Sequence, residues 1–342
     1  MVIASLERWF NQQWQTRSCW QILLQPLSLL YRFALFFRHM AYRLNWLHRT
    51  TFPIPVLVVG NLVIGGSGKT PLTIWIANQL RAKGWHPGII SRGYGGQNRV
   101  PHAIQPNTDV AISGDESLLM ARHTDVPVYT ARLRSAAAKA LLVAHPDVDI
   151  LISDDGLQHT ALARQIEIVV IDATRGFGNQ RLLPAGPLRE PLRRLQSADI
   201  IIVNQTGPLH ASLRKLPAHH TLTLQPDTLY ALTAPRQRVT PDFFIGKTLH
   251  AVAGIGHPQR FFNQLSAAGL SFTAHAFPDH HAFQAGELNF HGDIIMTEKD
   301  AVKCEAFATD AMWVWPVQAQ PDNDFLPHLL TRLDAHHGRQ TA

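Results

Sequence analysis

The residues with the clearest chemical meaning are Gly65, Gly66, Ser67, Gly68, Lys69 and Thr70, which close the run Gly60-Asn61-Leu62-Val63-Ile64-Gly65-Gly66-Ser67-Gly68-Lys69-Thr70. An apolar, β-branched stretch at 56–59 precedes the run, and a helical pattern opening on Pro71 follows it. Strand, glycine loop and helix in that order make a P-loop. Glycines let backbone amides approach phosphate oxygens, Lys69 can reach the β- and γ-phosphates of ATP, and the Thr70 hydroxyl can bind Mg²⁺. Strict P-loop spacing puts glycine at position 63, where this chain has Val63, but Gly65, Gly66 and Gly68 keep the loop open where phosphates would sit.

A P-loop site also needs an apolar strand that ends in an acid. Asp149-Ile150-Leu151-Ile152-Ser153-Asp154-Asp155 supplies one, so Asp154 or Asp155 is a candidate Mg²⁺ ligand. Asp115, in Gly114-Asp115-Glu116, stands where a helix should begin and can serve as its N-cap. Arg92, Arg175, Arg181 and Arg189 lie in glycine- or proline-rich loops, from which guanidinium groups can clamp phosphates. Asn204, at the end of a predicted strand, is a candidate reader of the adenine edge. His280 and His281 follow Asp279, and no third ligand at a suggestive spacing makes them a metal site.

These groups need a scaffold that brings strand ends together. Short β-branched runs at 56–59, 88–90, 126–129, 148–153, 166–171 and 199–203 alternate with helical stretches at 71–83, 116–123 and 132–143. Such alternation predicts an α/β fold: a P-loop NTPase-type parallel sheet with flanking helices. Residues 209–239 are richer in proline and threonine and read as a linker or hairpin. Candidate strands at 248–253 and 293–297, with a helix at 258–268, predict a smaller second α/β lobe. The expected division is 1–50 as an N-terminal membrane-associated helix, 51–208 as the kinase core, 209–239 as the linker and 240–342 as the second lobe.

The chain has 342 residues and is 46% hydrophobic, which excludes general disorder. Cys19 and Cys304 are far apart and suggest neither a disulfide framework nor a zinc site. The net charge is +6, yet residues 1–50 hold six arginines (Arg8, Arg17, Arg32, Arg38, Arg43, Arg49) against Glu7 alone, which is +5 and leaves +1 for the rest. Basic character confined to one end argues against nucleic acid as a partner. The same end carries Trp9, Trp14, Trp20 and Trp46, and tryptophan with arginine is the composition of a membrane-interface segment. Between 20 and 47 the polar residues Gln21, Gln25, Ser28, Arg32, His39 and Arg43 form one narrow helical stripe in an otherwise apolar surface. Gln25, Pro26 and Arg32 interrupt the run, so a helix lying in an anionic membrane surface fits better than a clean span. Arg38, His39 and Arg43 follow the apolar run, where a secretory signal would place its cleavage site.

Residues 60–71, Ser91-Arg92-Gly93-Tyr94-Gly95, Gly114-Asp115-Glu116, Asp154-Asp155-Gly156-Leu157-Gln158-His159, 171–195, Asp279-His280-His281 and Thr297-Glu298-Lys299-Asp300-Ala301 together resemble the tetraacyldisaccharide 4′-kinase family. The family's loop resembles this one at Val63 as well. The resemblance implies transfer of the ATP γ-phosphate, with Mg²⁺, to the 4′-hydroxyl of a tetraacyldisaccharide 1-phosphate, a late step of lipid A biosynthesis. It also implies a peripheral or monotopic place at the cytoplasmic face of a bacterial inner membrane, and two lobes that move. On the same basis Asp115 orients or deprotonates the acceptor hydroxyl, and Glu116 helps at the Mg²⁺ site. A histidine, His280 in preference to His281, pairs with Asp115. Two rival readings of the residues are a soluble P-loop kinase for a small metabolite and a membrane-associated nucleotide-switch ATPase.

Overall fold

The computed structural model describes residues 13–15, 19–96, 100–205 and 207–337. Glu7, Arg8, Trp9 and Arg17 of the basic N-terminal region lie outside the described residues. After an N-terminal helix, α1 (Cys19–Arg43), the chain forms β1 (Val56–Gly60), α2 (Lys69–Ala82), β2 (Pro87–Ser91), β3 (His102–Ile104), α3 (Val110–Ser113) and α4 (Asp115–His123). It continues through β4 (Val128–Thr130), α5 (Arg134–Ala144), β5 (Ile150–Asp154), β6 (Ile166–Asp172), β7 (Ile200–Asn204) and β8 (His220–Pro226).

The larger sheet has nine strands, in the order β15-β8-β7-β6-β1-β5-β2-β4-β3, where β15 is Val317–Pro321. Strands β8 to β4 in that order run parallel, and the antiparallel strands β15 and β3 close the two edges. The residues of β1 are buried on both faces, which is why the strand is continuously apolar instead of alternating. One face packs on α2 through Leu72, Ile76 and Leu80, and the other on α5 through Ala137, Ala138 and Leu141. Val59 of β1 is in register with Asp154 of β5, so the start of the glycine loop and the acidic strand end lie side by side.

A second sheet, of six strands, is inserted between β8 and β15. It is built from β9 (Leu229–Ala231), β10 (Arg238–Val239), β11 (Leu249–Ala253), β12 (Thr273–Ala276), β13 (Asp293–Met296) and β14 (Met312–Val314), in the order β10-β9-β14-β13-β11-β12. Helices α6 (Pro258–Ala267) and α7 (Glu298–Ala301) accompany it. Phe244, Phe261, Leu265 and Trp313 form part of its own core. The two crossings between the sheets run next to each other: Asp227 N donates to Pro316 O at 3.0 Å, and Trp315 Nε1 to Asp227 O at 2.7 Å.

The sheet membership differs from the expected division at two places. The stretch 209–239, read as a linker, contains β8 of the larger sheet and β9 and β10 of the smaller one. Within 240–342, β15 and the final helix α8 (Phe325–His337) return to the larger sheet. Phe325, Leu329 and Leu333 recur at helical spacing, are fully buried, and join Ile76, Leu80 and Ile202 in one core. Burying that stripe decides where the C-terminus goes, and contiguity along the chain does not reveal it.

Helix α1 turns part of its polar stripe inward, while Gln25, Arg32 and Arg43 stay exposed. Gln21 is buried, Ser28 Oγ donates to Leu182 O at 3.0 Å, Tyr31 Oη donates to Arg189 O at 2.9 Å, and Arg38 reaches Thr160 Oγ1 and Gln158 O. Leu35 is buried, but most of the helix's apolar side chains point away: Ile22, Leu23, Leu30 and Phe37 are each about two-thirds exposed. Among the described residues, no helix is long and apolar enough to cross a membrane.

Candidate active site

The glycine loop joins β1 to α2, and its carbonyls are held by Asn61 of the loop itself and by side chains from three other segments. Asn61 Nδ2 donates to Gly65 O at 3.0 Å, Arg175 Nη2 to Ile64 O at 3.1 Å, Asn204 Nδ2 to Ser67 O at 3.0 Å and Gln158 Nε2 to Asn61 O at 2.9 Å. Gly68 has φ +92°, and a Cβ there would lie 2.7 Å from Asn204 Nδ2, so both backbone conformation and space require glycine. Asn204, a candidate for reading adenine, is instead fully buried with its amide bracing the loop.

At the adjacent strand end the two aspartates differ. Arg189 grips both oxygens of Asp155, at 2.9 and 3.0 Å, and Lys69 Nζ lies 3.6 Å from it. Burial alone would raise the Asp155 carboxyl, but the charges of Lys69 and Arg189 hold it well below the usual carboxylate range. Asp154 Oδ1 accepts from Thr73 Oγ1 at 3.1 Å, while Oδ2 is buried without a hydrogen-bond partner. Burial, then the charges of Glu116 and Asp155, push the Asp154 carboxyl up. A divalent cation would satisfy that oxygen and reverse the shift, so these residues fit Mg²⁺. Thr70 and Glu116 line the same cleft.

Across the cleft, His280 Nδ1 lies 2.9 Å from Asp115 Oδ2, joining the second sheet's lobe to the first. Asp115 is not the N-cap of α4. Gly114 occupies that position, and Asp115 begins the helix with Oδ1 accepting from Glu116 N at 2.8 Å. Burial opposes ionisation of Asp115, yet the hydrogen bond from His280 and the charge of Lys299 keep its carboxyl below the ordinary value. Burial likewise disfavours a charged His280, and Asp115 outweighs it, so the His280 pKa is raised. His280 lines the cleft while Asp115 sits buried behind it. His281 turns away to Glu287, at 3.0 Å.

Of the four loop arginines, Arg92, Arg175 and Arg189 line the cleft. Arg175 and Arg189 are held by Ile64 O and Asp155 respectively, which leaves Arg92 as the exposed one of the three. Arg181 is not at the cleft. It lies in the loop beneath α1, next to the Leu182 carbonyl that Ser28 reaches.

The sequence profile described as Tetraacyldisaccharide-1-P 4′-kinase matches residues 20–334. The chain belongs to that family. A tetraacyldisaccharide 4′-kinase of Methylobacillus flagellatus is 44% identical over 331 residues, covering 96% of this chain and 97% of that one. Another, of an Azoarcus species, is 47% identical over 334 residues, with 96% of each chain covered. The crystal structure of LpxK from Aquifex aeolicus in complex with ATP is similar, with a TM-score of 0.74 and 26% identity over 92% of this chain and 99% of that one. The chain is therefore an ATP-dependent kinase of lipid A biosynthesis, as the motif resemblance implied.

Three cleft residues had no assigned role in the sequence reading. Arg134 is buried and donates to Asp154 O at 3.0 Å and Asp155 O at 2.7 Å, fixing the acidic strand end. Arg260 of α6 pairs with Asp172 at the end of β6, across the two sheets. Lys299 reaches Glu116 and Asp279. No spacing in the sequence gives Arg134 or Arg260 a role, and Lys299 stands out only as part of the run Thr297–Ala301 that carries the family resemblance.

Proposed function

We propose that the chain works at the cytoplasmic face of a bacterial inner membrane, moving the γ-phosphate of ATP to the 4′-hydroxyl of a membrane-held tetraacyldisaccharide 1-phosphate. The observation that carries the proposal is the arrangement of one cleft, with the P-loop lysine on one wall and the Asp115–His280 pair on the other. The hydroxyl oxygen bonds to the γ-phosphorus, the bond to the β–γ bridging oxygen breaks, and the hydroxyl proton passes to the Asp115–His280 pair. Phosphoryl transfer needs mainly positioning and charge, so the pair orients the hydroxyl and takes its proton late. Lys69 and the loop amides hold the phosphates. Asp154, with Thr70 and Glu116 beside it, would hold Mg²⁺, which when bound would neutralise charge on the phosphate oxygens. Arg92, exposed in the cleft, contacts acceptor phosphate.

The exposed apolar face of α1 supports the membrane part of the proposal. A helix that anchors Gln21, Ser28, Tyr31 and Arg38 on the protein and exposes Ile22, Leu23, Leu30, Phe33 and Phe37 has an apolar face that lipid can cover. It lies in the interface, with Arg32 and Arg43 near anionic head groups. Replacing Trp20, Phe33 and Phe36 by serine should release the protein from anionic liposomes, since each side chain accounts for roughly 1.5–3 kcal/mol of burial. Unchanged liposome binding would remove α1 as the membrane contact. Catalysis is tested by incubating the protein with ATP, Mg²⁺ and the disaccharide 1-phosphate lipid and reading one added phosphate by mass spectrometry. ADP formed without a phosphorylated lipid would favour the switch-ATPase reading.

A further inference from the structure

Lys299 sits where the two lobes meet. Its Nζ lies 3.1 Å from Glu116 Oε1 on α4, 3.1 Å from Asp279 Oδ1 and 3.4 Å from His280 Nε2. We propose that Lys299 is a positioning residue for phosphoryl transfer: by tying Asp279 to Glu116 across the seam, it holds His280 in the orientation that reaches Asp115. The proposal rests on the dyad reading given above.

The base of Lys299 is rigid. Thr297 caps α7, and the fully buried Asp300 accepts from Gly254 N at 2.9 Å, Thr297 Oγ1 at 2.7 Å and Lys303 Nζ at 2.6 Å. A largely buried ammonium is costly unless it is paired on several sides, and this one faces Glu116, Asp279 and His280.

His280 needs such support. Its φ is +57°, a left-handed conformation that is unfavourable for a residue with a Cβ and persists only when its surroundings impose it. The His280 N–H donates to Asp279 Oδ1 at 3.1 Å, the same oxygen that accepts from Lys299. One path therefore runs from Lys299 through the Asp279 carboxylate to the His280 backbone. A second is direct: with an ammonium facing Nε2, the imidazole carries its proton on Nδ1, toward Asp115. Both paths end on the same ring, so loss of Lys299 should misplace His280 and leave the glycine loop, on the opposite wall, intact.

The test is a double-mutant cycle on lipid phosphorylation. Lys299→Met should lower kcat by roughly 10- to 100-fold, the scale of a misplaced catalytic group, with the KM for ATP within about threefold of wild type. In a His280→Ala background the same substitution should cost less than about threefold, because the ring it positions is gone. Lys299→Arg keeps the charge and should recover at least about fivefold over methionine, without full activity, because a planar guanidinium cannot reproduce the compact ammonium. If the methionine variant does not fold, the cycle is run with Lys299→Arg, and the same non-additivity is expected. An equal loss with and without His280, or an arginine variant no better than methionine, would overturn the proposal. Absence of product from the wild-type protein would instead overturn the kinase reading, and the positioning role with it.

Discussion

The two walls of the cleft are built by different means. On the nucleotide wall, residues 60–70 are contiguous, the acidic strand end is placed by parallel register with β1, and side-chain amides and guanidinium groups clamp the loop carbonyls. On the acceptor wall, Asp115 and His280 are 165 positions apart, one at the start of α4 and the other in the loop after β12, and meet only through their side chains. Arg260–Asp172, Lys299–Glu116, Arg122–Glu305 and His123–Glu298 are among the ion pairs along that seam. Backbone register is fixed by the larger sheet, whereas the seam is held by side chains, and its more exposed pairs, Arg122–Glu305 and His123–Glu298, are individually weak and can open. A phosphate site that persists while the acceptor site assembles and comes apart is the arrangement expected of lobes that move.

The sharpest way to break that contrast is at its extremes. Lys69→Ala removes the one cation that can reach the β- and γ-phosphates from the loop, and turnover should fall by roughly 10³-fold or more in a phosphate-release or lipid-product assay. Near wild-type turnover would take the nucleotide wall out of the mechanism. Asp115→Asn keeps the shape of the acceptor wall and removes its charge. The expected result is a 10²–10⁴-fold loss in kcat, with ATP affinity nearly unchanged. A matching rise in the KM for ATP would mean that the walls are not independent.

Smaller effects sharpen the same contrast. Within the histidine pair, His280→Ala should lose most of what Asp115→Asn loses, whereas His281→Ala, which gives up the contact to Glu287 and ring packing on Phe277 and Phe283, should stay within about twofold in kcat. Equal losses would show that the second lobe's loop, not a specific ring, is what matters. The weakest effect expected is that of the seam on stability. The hydrogen bond to Glu298 raises the His123 pKa, so its contribution is complete below the unfolded value of about 6.5 and fades as pH rises through the folded value. Between about pH 6 and 8, the melting temperature of wild type should fall slightly relative to His123→Ala, and identical profiles would remove this pair from the seam.

Much of the larger sheet was legible from the alternation of β-branched runs and helical stripes, because that pattern is local and both faces of a parallel sheet are covered. The predicted and observed bounds of β1, β2, β5, β6 and β7 agree to within two residues. The short edge strands β3 and β15 were not visible, since three to five residues carry too little periodicity, and the stripe of α8 does not say which sheet it packs on. In the site, Lys69, Thr70 and the aspartate pair stood out because their chemistry sits on neighbouring residues or at strand ends. Asn204 stood at the right strand end too, but sequence could not show that its amide faces Ser67 instead of a nucleotide. Arg181 looked like the other loop arginines until the fold put it beneath α1.

By itself, then, the sequence determined whatever depends on short-range order: the glycine loop between a strand and a helix, the acidic strand end, and the polar stripe on an otherwise apolar N-terminal helix. Tertiary structure alone decided which of Asp154 and Asp155 keeps an unpaired oxygen and which of His280 and His281 meets Asp115. It also decided that Gln21, Ser28, Tyr31 and Arg38 anchor α1 on the protein while most of its apolar side chains face away. The reason is physical: a motif is set by backbone geometry over a few residues, whereas a pairing across two sheets depends on where separate buried faces come to rest.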